Sequence, residues 1–315
     1  MNLSDPKEVE RVGLLGTGTI GASWAAYFLS RGLEVIGWDP APDAEKNARS
    51  LIERAWPAIE ALGPVSNANP DQFRFVNSVI DCVTEVQFIQ ENAPENLDVK
   101  RDLFRTIDKS IPPDTILASS TSGLLISEMQ FGLNSGSRYV LGHPFNPPHI
   151  LPLVEVLGGN DTDATAVDWT IEFYKLHGKK AVKLEREVLG HVVDRLQVAM
   201  YREAIHLVNS GVASAKVVDE AITYGPGLRW ALMGPLMVSH LAGGQGGIKH
   251  FLEHIGPGIE KWWEDLGNPR LTPDVIDRIS DSVEEEAGQR SISDLEAERD
   301  TKLIAILNAL NTSEQ

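Results

Sequence analysis

The sequence of 315 residues contains a single cysteine, Cys82, so no disulfide can form within the chain. There is no CxxC and no Cys/His cluster at ligand spacing, so no metal site is expected. Basic residues are also short: 28 Lys and Arg stand against 45 Asp and Glu, a formal charge of −17. A field of that sign repels nucleic acid and anionic membranes, and disfavours polyanionic ligands unless a local basic patch compensates. Neither a nucleic-acid nor a membrane partner is expected. Long apolar runs are missing as well. Residues 12–30 carry no charge, but Gly13, Gly16, Gly18 and Gly21 interrupt them, and the preceding flank (Asp5, Lys7, Glu8, Glu10, Arg11) is mixed in sign. That is unlike a signal peptide or a membrane span. What is present is a globular composition, 42% apolar and 23% charged, with length for about two domains. The free thiol suits a reducing compartment, and a cytoplasmic protein is expected.

Residues 11–16, RVGLLG, read as a short buried strand ending in glycine. Gly16, Thr17, Gly18, Thr19, Ile20 and Gly21 follow as a GxGxxG turn, then an apolar helical pattern closed by Gly32, then a second strand with Asp39 at its carboxyl end. The glycines alone are weak evidence; strand, turn, helix, strand and acid in this order are specific. Gly16 permits the tight turn, Gly18 admits a pyrophosphate to the backbone, and Gly21 lets helix and strand pack closely. The helix amino terminus supplies amides and partial positive charge for phosphates. Asp39 is placed to accept hydrogen bonds from both adenine-ribose hydroxyls and to repel a 2′-phosphate, and no basic residue follows in DPAPDAE. NAD is the expected cofactor, in preference to NADP. A glycine turn in an α/β protein without cofactor is the alternative.

Strand-like runs continue at 85–90, 115–121, 138–145, 151–158 and 179–185, with helical patterns at 43–62, 96–109 and 163–177. The alternation predicts a Rossmann-type doubly wound, mainly parallel sheet whose closely spaced later strands include an antiparallel part. After Glu185 the strands stop, and GHVVDRLQVAMYREAIHLVNSG at 190–211 opens a helical region. The chain thus reads as α/β followed by an all-α carboxyl-terminal domain, with expected domains 1–188 and 189–315.

His143 ends the strand RYVLGH and precedes Pro144, Phe145, Asn146, Pro147 and Pro148, while Glu155 lies in the next strand, LPLVEVLG. A His in a rigid turn and an acid on a neighbouring strand are able to form a proton-transfer pair, the carboxylate fixing the tautomer and raising the imidazole's basicity. A structural His and an ordinary ion-pair Glu are the alternatives from spacing alone.

The run GHPFNPPHILPLVEV, with GTGTIG and ILASSTSGLLI at 116–126, resembles the signatures of the 3-hydroxyacyl-CoA dehydrogenase superfamily, and the resemblance spans essentially the whole chain. It implies NAD-dependent oxidation of a 3-hydroxyl group, with His143 as base, Glu155 as its partner, and Ser122 and Asn146 beside the reacting oxygen. It places Glu91 and Lys100 beside the nicotinamide half of the cofactor, and implies a homodimer built through the helical domain. Within the superfamily, YGPGLRWALMGPL (224–236), HLAGGQGGIKHF (240–251) and WDPAP (38–42) look like the branch acting on L-carnitine, and less like the branch of gulonate dehydrogenases and lambda-crystallin.

Two departures from the acyl-CoA pattern bear on the substrate. Residues 43–72, where acyl-CoA enzymes carry a basic helical arm, hold three basic residues (Lys46, Arg49, Arg54) and five acidic ones (Asp43, Glu45, Glu53, Glu60, Asp71). Such a surface is a poor seat for the phosphates of CoA. Asp194 stands where those enzymes have a substrate-contacting asparagine, and a carboxylate there suits a cation such as the trimethylammonium of zwitterionic L-carnitine. Aromatic faces complete such a site, and Phe145, Tyr224 and Trp230 are the expected candidates, with Tyr201 and a partner's Trp262 and Trp263 as further ones. Each could equally be core packing. Arg195 or Arg229 could hold a carboxylate or serve a structural ion pair. His250 and His254, at i and i+4, lack a third metal ligand, and GGQGG at 243–247 follows a helix and reads as a connecting turn rather than a phosphate loop. An anionic substrate of the same enzyme class and a non-enzymatic, crystallin-like NAD-binding protein are the competing readings.

Overall fold

The computed structural model describes residues 3–311. Strands β1 (Arg11–Leu15), β2 (Glu34–Trp38), β3 (Phe73–Phe75), β4 (Phe88–Glu91), β5 (Ile116–Ser119), β6 (Tyr139–Pro144), β7 (Leu153–Gly158) and β8 (Lys180–Lys183) form one eight-stranded sheet in the order β3-β2-β1-β4-β5-β6-β7-β8. Every neighbouring pair is parallel except β6 and β7. The strand order reverses between β1 and β4, and it is outside the carboxyl ends at such a switch point that open α/β sheets bind ligands.

Helices α1 (Thr19–Ser30), α2 (Ala44–Leu62), α3 (Val79–Val83), α4 (Leu97–Ile107), α5 (Ile126–Met129) and α6 (Ala164–Leu176) link the strands. Alternating side chains of the strands enter two separate apolar layers. Val12, Leu14, Val35, Phe88, Ile116, Val140, Val154 and Val156 join Trp24 and Phe28 of α1 and Phe173 of α6. Leu15, Ile36, Ile89, Leu117, Leu141 and Leu157 join Cys82 of α3 and Phe104 of α4. This is why the strands read as continuous apolar runs: both faces are covered. Full burial of each large side chain contributes about 2–3 kcal/mol, and the first layer is tightened by aromatic contacts, with Trp24 stacked on Phe28 at 5.0 Å and Phe88 against Phe173 at 4.2 Å.

The helix ends follow local chemistry. Asn96 caps α4 by accepting from the amides of Asp98 and Val99, and Asp163 caps α6 by accepting from that of Thr165. Gly32, at φ +79°, takes the left-handed turn after α1. The helical patterns at 43–62, 96–109 and 163–177 appear as α2, α4 and α6. Strand β3 and helices α3 and α5 were not legible, being three, five and four residues long and too short to display a period.

The fold divides into two compact units. Among the described residues, one comprises residues 3–194 with Asp300–Asn308; the other comprises Arg195–Arg299 with residues 309–311. The second is helical, drawn from α7 (Val193–Asn209), α8 (Ala215–Thr223), α9 (Pro226–Trp230), α10 (Pro235–Ala242), α11 (Gly247–Asp265), α12 (Pro273–Ala287) and α13 (Ile292–Asn311). Within it Ser282 accepts from the amide of Ala215, Arg278 donates to the carbonyl of Asn209, and Glu203 accepts from the amide of Gly267. Gly244, Gln245 and Gly246 form a single 3-10 turn between α10 and α11, a connector as expected. No helix among the described residues is long and apolar enough to cross a membrane.

Candidate active site

The glycine turn joins β1 to α1. Gly16 adopts φ +90°, and a Cβ at Gly21 would lie 2.0 Å from the Gly16 carbonyl oxygen, so only glycine lets the helix approach the strand this closely. A Cβ at Gly18 would meet nothing within 4 Å. The open space there, next to the first turn of a helix whose N-cap has no side chain, is a cradle for a phosphate group. Thr17 contributes a buried hydroxyl with no partner. Asp39 accepts from the amides of Thr17 (2.8 Å) and Ala41 (2.9 Å), so its carboxylate stands beside the turn. Trp38, Asp39, Ala41, Phe75 and Asn77 line a cleft there, with Asp43 and Glu45 at its wall.

Beyond the carboxyl ends of β5 and β6 lies the second half of the site. The antiparallel register places His143 directly opposite Glu155, on one face of the sheet. His143 Nδ1 is 2.9 Å from Glu155 Oε2, and both residues are buried. Glu155 Oε1 accepts from the amides of Val192 and Val193, each at 3.1 Å. Burial alone would raise the Glu155 pKa; the bonds from His143, Val193 and Val192 and the His143 charge overcome it and hold the carboxyl below its ordinary value. An ionised carboxylate only accepts hydrogen bonds, so Nδ1 carries the hydrogen, and in the neutral ring Nε2 presents a lone pair. That lone pair meets Ser122 Oγ at 3.1 Å. Asp194 Oδ2 lies 3.7 Å from the same nitrogen, and the Phe145 ring stands edge-on to the imidazole at 4.8 Å. Asn146 is exposed at the end of this turn.

The Ser122 loop is held by a residue that sequence reasoning missed. Glu95 Oε1 accepts from Thr121 Oγ1 (2.6 Å) and from the amides of Ser122, Gly123 and Leu124. Its pKa is lowered because these bonds and the Lys100 charge outweigh burial. Nothing in ENAPENLD distinguishes Glu95 from Glu91; the fold separates them. Glu91 and Lys100 have almost no exposed surface, 0% and 1%, and face each other as an ion pair at 2.6 Å. Glu91 also accepts from Ser119 Oγ and the Ala93 amide, while Lys100 donates to the Ala93 carbonyl. Both side chains thus hold the backbone at Ala93, and Lys100 Nζ also lies 3.8 Å from Glu95 Oε2.

His191 is the second omission. It is buried, its Nε2 is 3.1 Å from the Thr121 carbonyl oxygen, and its ring centre lies 5.2 Å from that of His143. Its neighbour Gly190, just ahead of a helical run, was the one signal in the sequence, pointing to a tight turn. His250 and His254 are exposed and stack on each other on α11, and no group of three or more metal-ligating side chains occurs among the described residues. Of the expected substrate aromatics, Phe145 is beside His143, whereas Tyr224 and Trp230 belong to the helical unit and are exposed.

Residues 11–188 match the model of the 3-hydroxyacyl-CoA dehydrogenase NAD-binding domain, and residues 190–291 that of the 3-hydroxyacyl-CoA dehydrogenase carboxyl-terminal domain. The chain belongs to the 3-hydroxyacyl-CoA dehydrogenase family. Its parallel sheet with the glycine turn is therefore the family's NAD-binding domain, and the protein is an NAD-dependent dehydrogenase. Within the family it is 48% identical to the L-carnitine dehydrogenase of Streptomyces griseus subsp. griseus, over 96% of this chain and 91% of that protein. It is 46% identical to the L-carnitine dehydrogenase of Nocardiopsis dassonvillei, over 98% of this chain and 94% of that protein. Among solved structures it resembles the NAD-dependent 5-formyl-3-hydroxy-2-methylpyridine-4-carboxylic acid 5-dehydrogenase, at 31% identity and a TM-score of 0.81, covering 96% of this chain and 99% of that one.

Proposed function

We propose that this protein oxidises the 3-hydroxyl group of L-carnitine to 3-dehydrocarnitine with NAD as acceptor. The observation that carries the reaction is the arrangement about His143, whose Nδ1–H is committed to an ionised Glu155 while Nε2 faces Ser122 and Asp194.

In this reading the turn from Gly16 to Gly21 holds the pyrophosphate and Asp39 the adenine ribose, and bound NAD supplies the two-electron acceptor. His143 Nε2 takes the hydroxyl proton. Glu155 stabilises the imidazolium that results and, through the Val192 and Val193 amides, keeps the ring in one tautomer. Ser122 or Asn146 donates a hydrogen bond to the substrate oxygen as it becomes a carbonyl. Glu95, Glu91 and Lys100 act as positioning residues, setting the loops at 92–96 and 121–124. Residues 1–188 would carry the cofactor, and residues 189–315 would serve substrate binding and homodimer formation, in keeping with the exposed Leu228, Leu232, Leu236, Trp262 and Trp263.

The substrate assignment rests on similarity along nearly the whole chain to L-carnitine dehydrogenases and on the Asp194 carboxylate close to the reacting centre. A carboxylate there attracts a trimethylammonium group and repels an anionic hydroxy acid, and Phe145 adds an aromatic face. The test is NADH formation at about pH 9, where release of the hydroxyl proton favours oxidation, with L-carnitine, D-carnitine, L-gulonate and 3-hydroxybutyryl-CoA compared. Turnover of L-carnitine alone is the expected result. Turnover of only gulonate or the thioester would reassign the substrate within the same reaction, and NAD binding without any turnover would support the crystallin-like alternative.

A further inference from the structure

His191 takes no part in the steps above, yet several features of it converge on His143. Its backbone lies at φ +45°, in the left-handed region that side chains other than glycine rarely enter. Such a conformation persists where the surrounding structure imposes it. The side chain is 2% exposed. Its Nε2 faces a carbonyl oxygen, that of Thr121, which only accepts, so Nε2 carries the hydrogen and Nδ1 is left bare. Nδ1 is buried with no partner, so the ring spends its single hydrogen bond on that one carbonyl.

The two ends of this contact are the two supports of the base. Thr121 precedes Ser122, whose hydroxyl meets His143 Nε2; Val192 and Val193, next to His191, give their amides to Glu155. We propose that His191 is a positioning residue for the oxidation: its Nε2–H ties the Ser122 loop to the turn at the head of α7, so that Ser122 and Glu155 reach the two nitrogens of His143 in one register. The inference rests on the reading of His143 as the base. The ring works in its neutral form. Burial, followed by the charge of His143, lowers its pKa, against the Thr121 bond and the carboxylates of Glu155 and Asp194, which raise it.

The test compares His191→Gln with His191→Asn in the full chain. The glutamine amide nitrogen falls where Nε2 sits, whereas that of asparagine falls where Nδ1 sits and does not reach Thr121. With L-carnitine, His191→Asn is expected to lose roughly tenfold or more in kcat, the range for one misplaced hydrogen bond, while still binding NAD with parental affinity, and His191→Gln to recover most of the loss. A double-mutant cycle with Ser122→Ala separates placement from general stability. Once the hydroxyl is gone only the Glu155 side is left to place, so adding His191→Asn costs clearly less than it does in the parent. Parental kcat in His191→Asn, equal impairment in both variants, an unimpaired Ser122→Ala, or additive losses would each overturn the inference. Should His191→Asn not fold, His191→Leu, which fills the volume without a donor, carries the same cycle. His143→Gln is the control. If it keeps turnover, the base reading and the inference fall together; if it loses turnover while His191→Asn does not, only the inference falls.

Discussion

Replacing Glu155 by Gln changes one charge and almost no volume, and the structure says which way the new amide must face. Glu155 Oε1 accepts from two backbone amides at 3.1 Å, and Oε2 accepts from His143 Nδ1 at 2.9 Å. In Glu155→Gln the amide oxygen stays with the two N–H groups, because inversion would set donors against donors at roughly 1–3 kcal/mol each. The side-chain NH2 then points at Nδ1, which must become an acceptor. The hydrogen moves to Nε2, the nitrogen that the base needs free. The variant loses a charge-assisted hydrogen bond to the imidazolium, about 1.5–3 kcal/mol, and must also reverse the tautomer, about 1 kcal/mol more. The sum corresponds to a fall in kcat of roughly 10²- to 10³-fold. The assay is steady-state NADH formation with L-carnitine, with NAD affinity measured separately by calorimetry and expected to be parental. A kcat within about threefold of the parent would refute the assignment of Glu155 as the partner of the base.

Three further outcomes follow from other parts of the structure. Asp194→Asn is expected to raise KM for L-carnitine about 5- to 30-fold, the equivalent of about 1–2 kcal/mol for a partly exposed carboxylate facing a quaternary ammonium, with KM for NAD unchanged; a parental KM would remove the charge argument. Gly21→Ala places a methyl group 2.0 Å from the Gly16 carbonyl oxygen, and NAD affinity measured by titration should fall more than about tenfold as the turn opens. His177 is pushed down to about 4 from the ordinary histidine value of 6.5, by burial and then by the Arg31 charge. Between those values the unfolded chain takes up a proton that the folded chain refuses, so stability falls as pH drops through this window, by about 3 kcal/mol at its lower end. Chemical denaturation across that range should show the decline, and His177→Gln should flatten it.

The alternation of apolar runs and helical periods determined the doubly wound sheet, and the GxGxxG turn with Asp39 was enough to read an NAD-binding domain, because both are written in contiguous residues whose spacing is itself the geometry. The pair of His143 and Glu155 was suggested by two adjacent strands, but only the antiparallel register of β6 and β7 set them opposite each other. A shift of one residue would have turned Glu155 to the other face. Local pattern could not tell Glu91 from Glu95, since two carboxylates four residues apart at the end of one strand look alike. Tertiary packing decided that one is sealed against Lys100 and the other gathers the Ser122 loop. His191 stayed hidden for the same reason. Its role depends on a carbonyl 70 residues away, and a contact between segments that distant in the chain leaves no period or motif in either one.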